Sequence, residues 1–109
     1  MSWFLCPYLG HSVELTEERR EHIAERHPDI LPEYESQLAE AIAAPDSIYK
    51  SQYDDKALIF SKWFDNIKTG RYLVAVVVTP EVQNQDRAWI ITVYTSRKVC
   101  KGETIWTKD

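Results

Sequence analysis

Glycine is scarce, with three in 109 residues, and cysteine is limited to Cys6 and Cys100. So little glycine excludes collagen-like and linker-rich architectures, and there is no low-complexity tract or internal repeat. Two cysteines near opposite ends make no disulfide framework, although one bridge between them is compatible with the sequence. Reduced thiols in a cytoplasmic protein are the expectation. No run reaches the ~18 apolar residues a membrane span needs. Residues 1–10 lack the basic segment and long apolar run of a secretory signal. No membrane partner is expected.

What is present fits one globular domain over residues 1–109. Hydrophobic residues make up 44% and charged residues 28%, so the chain can bury a core without covalent staples. The net charge is −4, unevenly placed. Residues 1–55 hold four basic and twelve acidic side chains, whereas residues 56–109 hold nine basic and five acidic. An acidic total argues against a general nucleic-acid binder, because phosphate affinity needs clustered Lys and Arg. It leaves room for a local basic cleft.

Residues 1–12, with Trp3, Phe4, Leu5, Tyr8 and Leu9, read as an ordered N-terminal arm or short edge strand. Thr16 is placed to cap a helix that carries Glu17 and Glu18 in its first turn and stops before Pro28. A second helix is expected from Pro32 or Glu33 to Pro45, with Tyr34, Leu38, Ala41 and Ile42 at helical spacing. Strands follow at about 57–63, 72–79 and 88–95, with weaker extended pieces at 47–52 and 103–107. The fold class expected is α+β: two N-terminal helices packed on a mainly antiparallel sheet of about four strands.

The first helix holds two of the three histidines. At about 100° per residue, with Ile23 at zero, His27 falls at about 40°, His22 at about −100° and Arg26 at about −60°. His22 and Arg26 therefore share a flank at i, i+4, joined by Arg19, while His27 sits in the apolar sector. His22 and His27 are about 140° apart, so they cannot clasp one metal, and no other metal-ligand spacing is present. A histidine exchanges protons near neutral pH, and an arginine one turn on can hold a phosphate or developing oxyanion. The plainer readings are a packed His27 at a helix end and a solvated His22. A second group is Thr92 to Lys98. Alternation puts Thr92, Tyr94 and Ser96 on one face and Val93, Thr95 and Arg97 on the other. Hydroxyls at a strand end followed by Arg97 and Lys98 suit a phosphodiester, and equally suit an ordinary strand and a solvated basic turn. Lys50, Lys62 and Arg71 are further candidates. Trp63, Trp89 and Trp106 can stack on bases, although core packing is the commoner role of tryptophan.

The helix with His-x-x-x-Arg-His-Pro, a second helix ending in Pro-Asp, and a late strand Ile-Ile-Thr-Val-Tyr-Thr-Ser before a basic turn resemble the barnase/EndoU/colicin/RelE-like nuclease superfamily, most nearly its phage-associated branch. The resemblance spans about Val13 to Trp106. It implies metal-independent RNA cleavage without a cofactor, a toxin or effector role, and a cognate inhibitor or immunity protein as partner. Carried over by motif, His22, Arg26 and His27 are the helix residues and Thr92 and Thr95 the strand hydroxyls of a catalytic site. Tyr94, Ser96, Arg97 and Lys98 are placed to bind RNA. The sequence departs from the pattern in being acidic and in lacking a late glutamate–histidine pair. The rival expectation is a catalytically inactive protein-interaction module of the same fold, using the acidic helices as its contact surface.

Overall fold

The structure is a computed structural model that describes residues 2–52, 54, 56–79, 87–98 and 103–108. Seven strands and two helices follow in the order β1 (Ser2–Cys6), β2 (His11–Leu15), α1 (Glu17–Arg26), α2 (Glu35–Ala43), β3 (Ser47–Lys50), β4 (Ala57–Phe64), β5 (Arg71–Val78), β6 (Trp89–Ser96) and β7 (Glu103–Thr107). The sheet order is β1-β2-β6-β5-β4-β3-β7. All neighbours are antiparallel except β2 and β6, which run parallel and meet at Glu14 and Trp89. The expectation of two helices on a mainly antiparallel sheet of about four strands is therefore overturned: the sheet is mixed and seven-stranded.

The weak extended pieces expected at 47–52 and 103–107 are the short strands β3 and β7, and the expected arm supplies β1; at four or five residues each they show too little period to be placed in the sheet from sequence. The expected arm is one half of a hairpin. Phe4 and Cys6 point inward while Trp3 and Leu5 point out. Gly10, at φ +80°, closes the turn with its N–H donated to the Cys6 carbonyl at 2.9 Å. Cys6 is fully buried, and burial raises its thiol pKa. Cys100 lies outside the described residues, and the bridge considered for the two cysteines with it.

Thr16 caps α1, its Oγ1 accepting the Arg19 N–H at 3.2 Å, with Glu17 and Glu18 in the first turn. His27 is the C-cap, its N–H donated to the Ile23 carbonyl, and Pro28 follows. α2 starts later than expected, at Glu35, because residues 27–34 form a connecting turn that includes a cis Leu31–Pro32 bond. That turn is anchored in the core by Ile30 and Leu31, both almost fully buried.

Antiparallel register separates the two faces of the sheet. Phe60, Leu73, Ala75, Val77, Ile90 and Val93 lie on one face and share a single core with Ile23 of α1 and Leu38, Ala41 and Ile42 of α2. Both helices cover this face. The other face, open only in that it lies away from the two helices, carries Ile59, Trp63, Tyr72, Val74, Thr92 and Tyr94; Val74 and Ser61 are fully buried within it and Tyr94 packs against the core. The β1–β2 hairpin closes over the helical side, where Tyr8 at its tip meets Phe60 and Trp106 edge-on at 6.4 and 6.3 Å.

Arg20 ties three of these elements. Its guanidinium donates to Ser2 Oγ of β1 and pairs with Glu35 Oε1 at the start of α2. Arg20→Ala removes both contacts and is expected to cost about 1 kcal/mol, roughly 4–8 °C in melting midpoint. Thermal unfolding followed by circular dichroism measures it; an unchanged midpoint would show that the apolar contacts alone hold the hairpin.

Candidate functional site

α1 packs along β6 and sets the ends of the domain. Its first residue follows the Glu14–Trp89 pairing almost directly. The turn after its last residue reaches the β4–β5 turn, where Lys68 Nζ lies 3.2 Å from Asp29 Oδ2. Because Tyr72 at the start of β5 pairs with Ser96 at the end of β6, the β4–β5 turn and the β6 terminus occupy the same end of the sheet. Arg26 and His27 therefore share an end with Lys68, Arg71, Arg97 and Lys98.

The expected site residues divide accordingly. Arg26 and His27 end α1, with Arg26 exposed and His27 half-buried. Thr95 is on the helical face, opposite Leu73. Ser96 lies one step further on the open face, and its Oγ pins the basic bend by donating to the Lys98 carbonyl at 2.6 Å and accepting the Lys98 N–H at 3.1 Å. Arg97 and Lys98 are exposed. His22 is exposed five residues back along α1, about 7 Å from His27 in axial rise. Thr92 and Tyr94 are on the open face, across the sheet from α1, and Thr92 is about 13 Å back along β6 from Ser96. Arg26, His27, Thr95, Arg97 and Lys98 thus lie toward one end of the domain, with Ser96 on the opposite face of the sheet at that end. His22 and Thr92 stand apart from that group. Arg19, expected beside His22 and Arg26, instead lines a separate cleft of about 200 Å³ at the start of α1 with Glu14, Thr16, Glu18, Arg87 and Trp89. There the Arg87 guanidinium stacks 5.5 Å from the Trp89 ring and lies 3.8 Å from Glu14.

The shared end is basic although the protein is acidic. It holds Arg26, Lys62, Lys68, Arg71, Arg97, Lys98 and Lys108 with His27, against Glu25, Asp29, Glu40, Asp46 and Asp65. Three of those carboxylates are occupied: Asp29 by Lys68, Asp46 by Lys62 and Lys108, and Asp65 by the Trp63 indole N–H at 2.7 Å. Arg71 is oriented by its own turn, with Nη1 donated to the Gly70 carbonyl at 2.8 Å and to Thr69 Oγ1 at 3.3 Å. Such a cluster attracts a polyanion locally despite the unfavourable total. Among the described residues no group of three or more His, Cys, Asp or Glu is placed to hold a metal ion, and no helix is long and apolar enough to cross a membrane.

Lys68 and Tyr72 were not singled out by sequence. Lys68 lies in the polar stretch 65–70 between β4 and β5, which Lys68 at φ +53° and Gly70 at φ +107° shape. Nothing local could relate that turn to the end of α1, because the link is a contact between residues 39 positions apart. No protein family, curated protein or solved structure gives a match to the chain.

The hydrogen bond from Lys68 holds the Asp29 carboxyl below the usual carboxylate range, against an upward push from burial and with help from its own backbone N–H and the charges of Lys68 and His27. A depressed folded value means that the contact contributes stability above the ordinary carboxylate range and loses it as pH falls through the depressed value. A side-chain carbon NMR titration is expected to place the Asp29 midpoint below that of a free aspartate. In Lys68→Ala it should return toward the ordinary value; an identical midpoint in both proteins would remove Lys68 as the cause.

Proposed function

We propose that the domain is a metal-independent endoribonuclease working at its basic end. What supports this reading is that a half-buried His27 lies toward the same end of the domain as Arg26, Arg71, Arg97 and Lys98 and the hydroxyl of Thr95. Phosphodiester cleavage needs those parts: a proton acceptor near neutral pKa, fixed cations for the developing phosphate charge, and a polar group to orient it. The 2′ oxygen of RNA attacks the adjacent phosphorus as its proton passes to the His27 imidazole. The bond from phosphorus to the 5′ oxygen breaks, that oxygen takes a proton from solvent, and a 2′,3′-cyclic phosphate remains. His22, about 140° around α1 from His27, is assigned no part in this chemistry.

With excess chelator present, the wild-type protein is expected to cut single-stranded RNA to 2′,3′-cyclic ends. His27→Ala should lower the rate about 100-fold or more. Arg97→Ala should also lower it, and His22→Ala should leave it near wild type, each variant retaining its circular dichroism spectrum. Wild-type cleavage by His27→Ala, or products without a cyclic phosphate, would overturn the assignment. One observation favours the second possibility, a non-catalytic interaction module: Glu18, Glu21 and Glu25 stand exposed along α1, a surface for a basic partner. That alternative requires that the wild-type protein cleave no RNA.

A further inference from the structure

Trp63 stands at the basic end on the open face of the sheet and is 41% exposed. Three neighbours build that position. Its backbone N–H donates to Asp46 Oδ2 at 2.8 Å, and its indole N–H to Asp65. Asp46 is in turn held by Lys108 at 3.2 Å and Lys62 at 3.7 Å. Tyr72, its register partner on β5, meets the indole edge to face, with ring centroids 5.1 Å apart and planes at 76°. Gly70 lies against the ring so closely that a Cβ there would sit 2.6 Å from Trp63 Cζ2. The indole is therefore held by its neighbours on several sides and still open to solvent.

The other tryptophans differ. Arg87 stacks on Trp89, Tyr8 meets Trp106, and Trp3 lies on the β1 edge. Beside Trp63, the register continues through Tyr72 to Ser96, which holds the backbone of Lys98. The aromatic pair thus spans two neighbouring strands, about 5 Å, and Ser96 on the third strand leads on to a cationic margin of Arg97 and Lys98. Aromatic rings next to fixed cations are what an unpaired nucleotide strand recognises, rings taking bases and cations taking phosphates.

We propose that Trp63 and Tyr72 form a stacking platform for an unpaired base, so that the ligand of the basic end is single-stranded RNA. This rests on the ribonuclease function proposed above and adds its substrate class. A duplex buries the faces of its bases and cannot use the platform. Every base has a stacking face, so the platform imposes little base preference.

The test is binding of a fluorescein-labelled 2′-O-methyl octanucleotide, which cannot be cut by 2′ attack, measured by anisotropy beside cleavage of the matching RNA. Wild type should bind the single strand at least about 10-fold more tightly than the same sequence in a duplex. Trp63→Ala should weaken single-strand binding about 5- to 150-fold, and Trp63→Phe, which keeps a ring against Gly70, by less. Tryptophan emission should be quenched on binding in wild type and much less in Trp63→Phe, a readout that loss of stability does not mimic. Equal affinity of wild type and Trp63→Ala, or of strand and duplex, overturns the platform even where RNA is cleaved. Trp63-dependent binding without cleavage supports the platform and overturns the nuclease, whereas no binding of either oligonucleotide overturns both.

Discussion

Burial of Ile23, Ile30 and Leu31 in one core with Leu73, Ile90 and Val93 is the constraint on which the arrangement depends. Each such side chain contributes about 1.5–3 kcal/mol when removed from water. The exposed Asp29–Lys68 contact is worth no more than about 1 kcal/mol. Apolar burial therefore decides that α1 lies along β6 and that the following turn descends to the end of the sheet. The ion pair only selects the final position of that turn. His27 occupies the junction because Pro28 ends the helix there, one turn after Ile23 has fixed its inward side.

This one-sided core gives the sheet two unlike faces. The helical side carries Glu17, Glu18, Glu21 and Glu25 on its outer surface, which accounts for much of the acidic total. The open side shows aromatic, β-branched and hydroxyl residues along β5 and β6. Cations of the second half of the chain lie at the end of the sheet where β5 begins and β6 finishes, the end that the turn after α1 reaches through Asp29 and Lys68. The charge asymmetry between the halves of the sequence thus becomes a local basic end in space. A phosphate chain would meet favourable potential there and repulsion along α1.

Much of the fold was legible because its signals are local. Thr16 caps α1, Pro28 ends it, and the β-branched runs of β5 and β6 declare themselves within eight residues each. The hairpin and the parallel contact of Glu14 with Trp89 were not legible. Strands of four or five residues carry too few alternations to show a period, and their pairing depends on partners far along the chain. The candidate site shows the same division. The i, i+4 relation of His22 and Arg26 follows from helix geometry alone, whereas the half-burial of His27 does not. Where α1 ends relative to the sheet is a property of the core and not of the helix sequence. Trp63 was visible as a tryptophan, but its exposure rests on Gly70, Asp65 and Tyr72 acting together.

The claim that the basic end is the ligand site is tested most directly by amide chemical-shift mapping with an uncleavable 2′-O-methyl single strand. The account predicts that the largest changes fall on residues 27–30, 66–72 and 95–98, with the Trp63 indole N–H among them. Changes centred on the outer side of α1 around Glu18, His22 and Glu25, or on the cleft at Arg87 and Trp89, with the basic end unmoved, would contradict it.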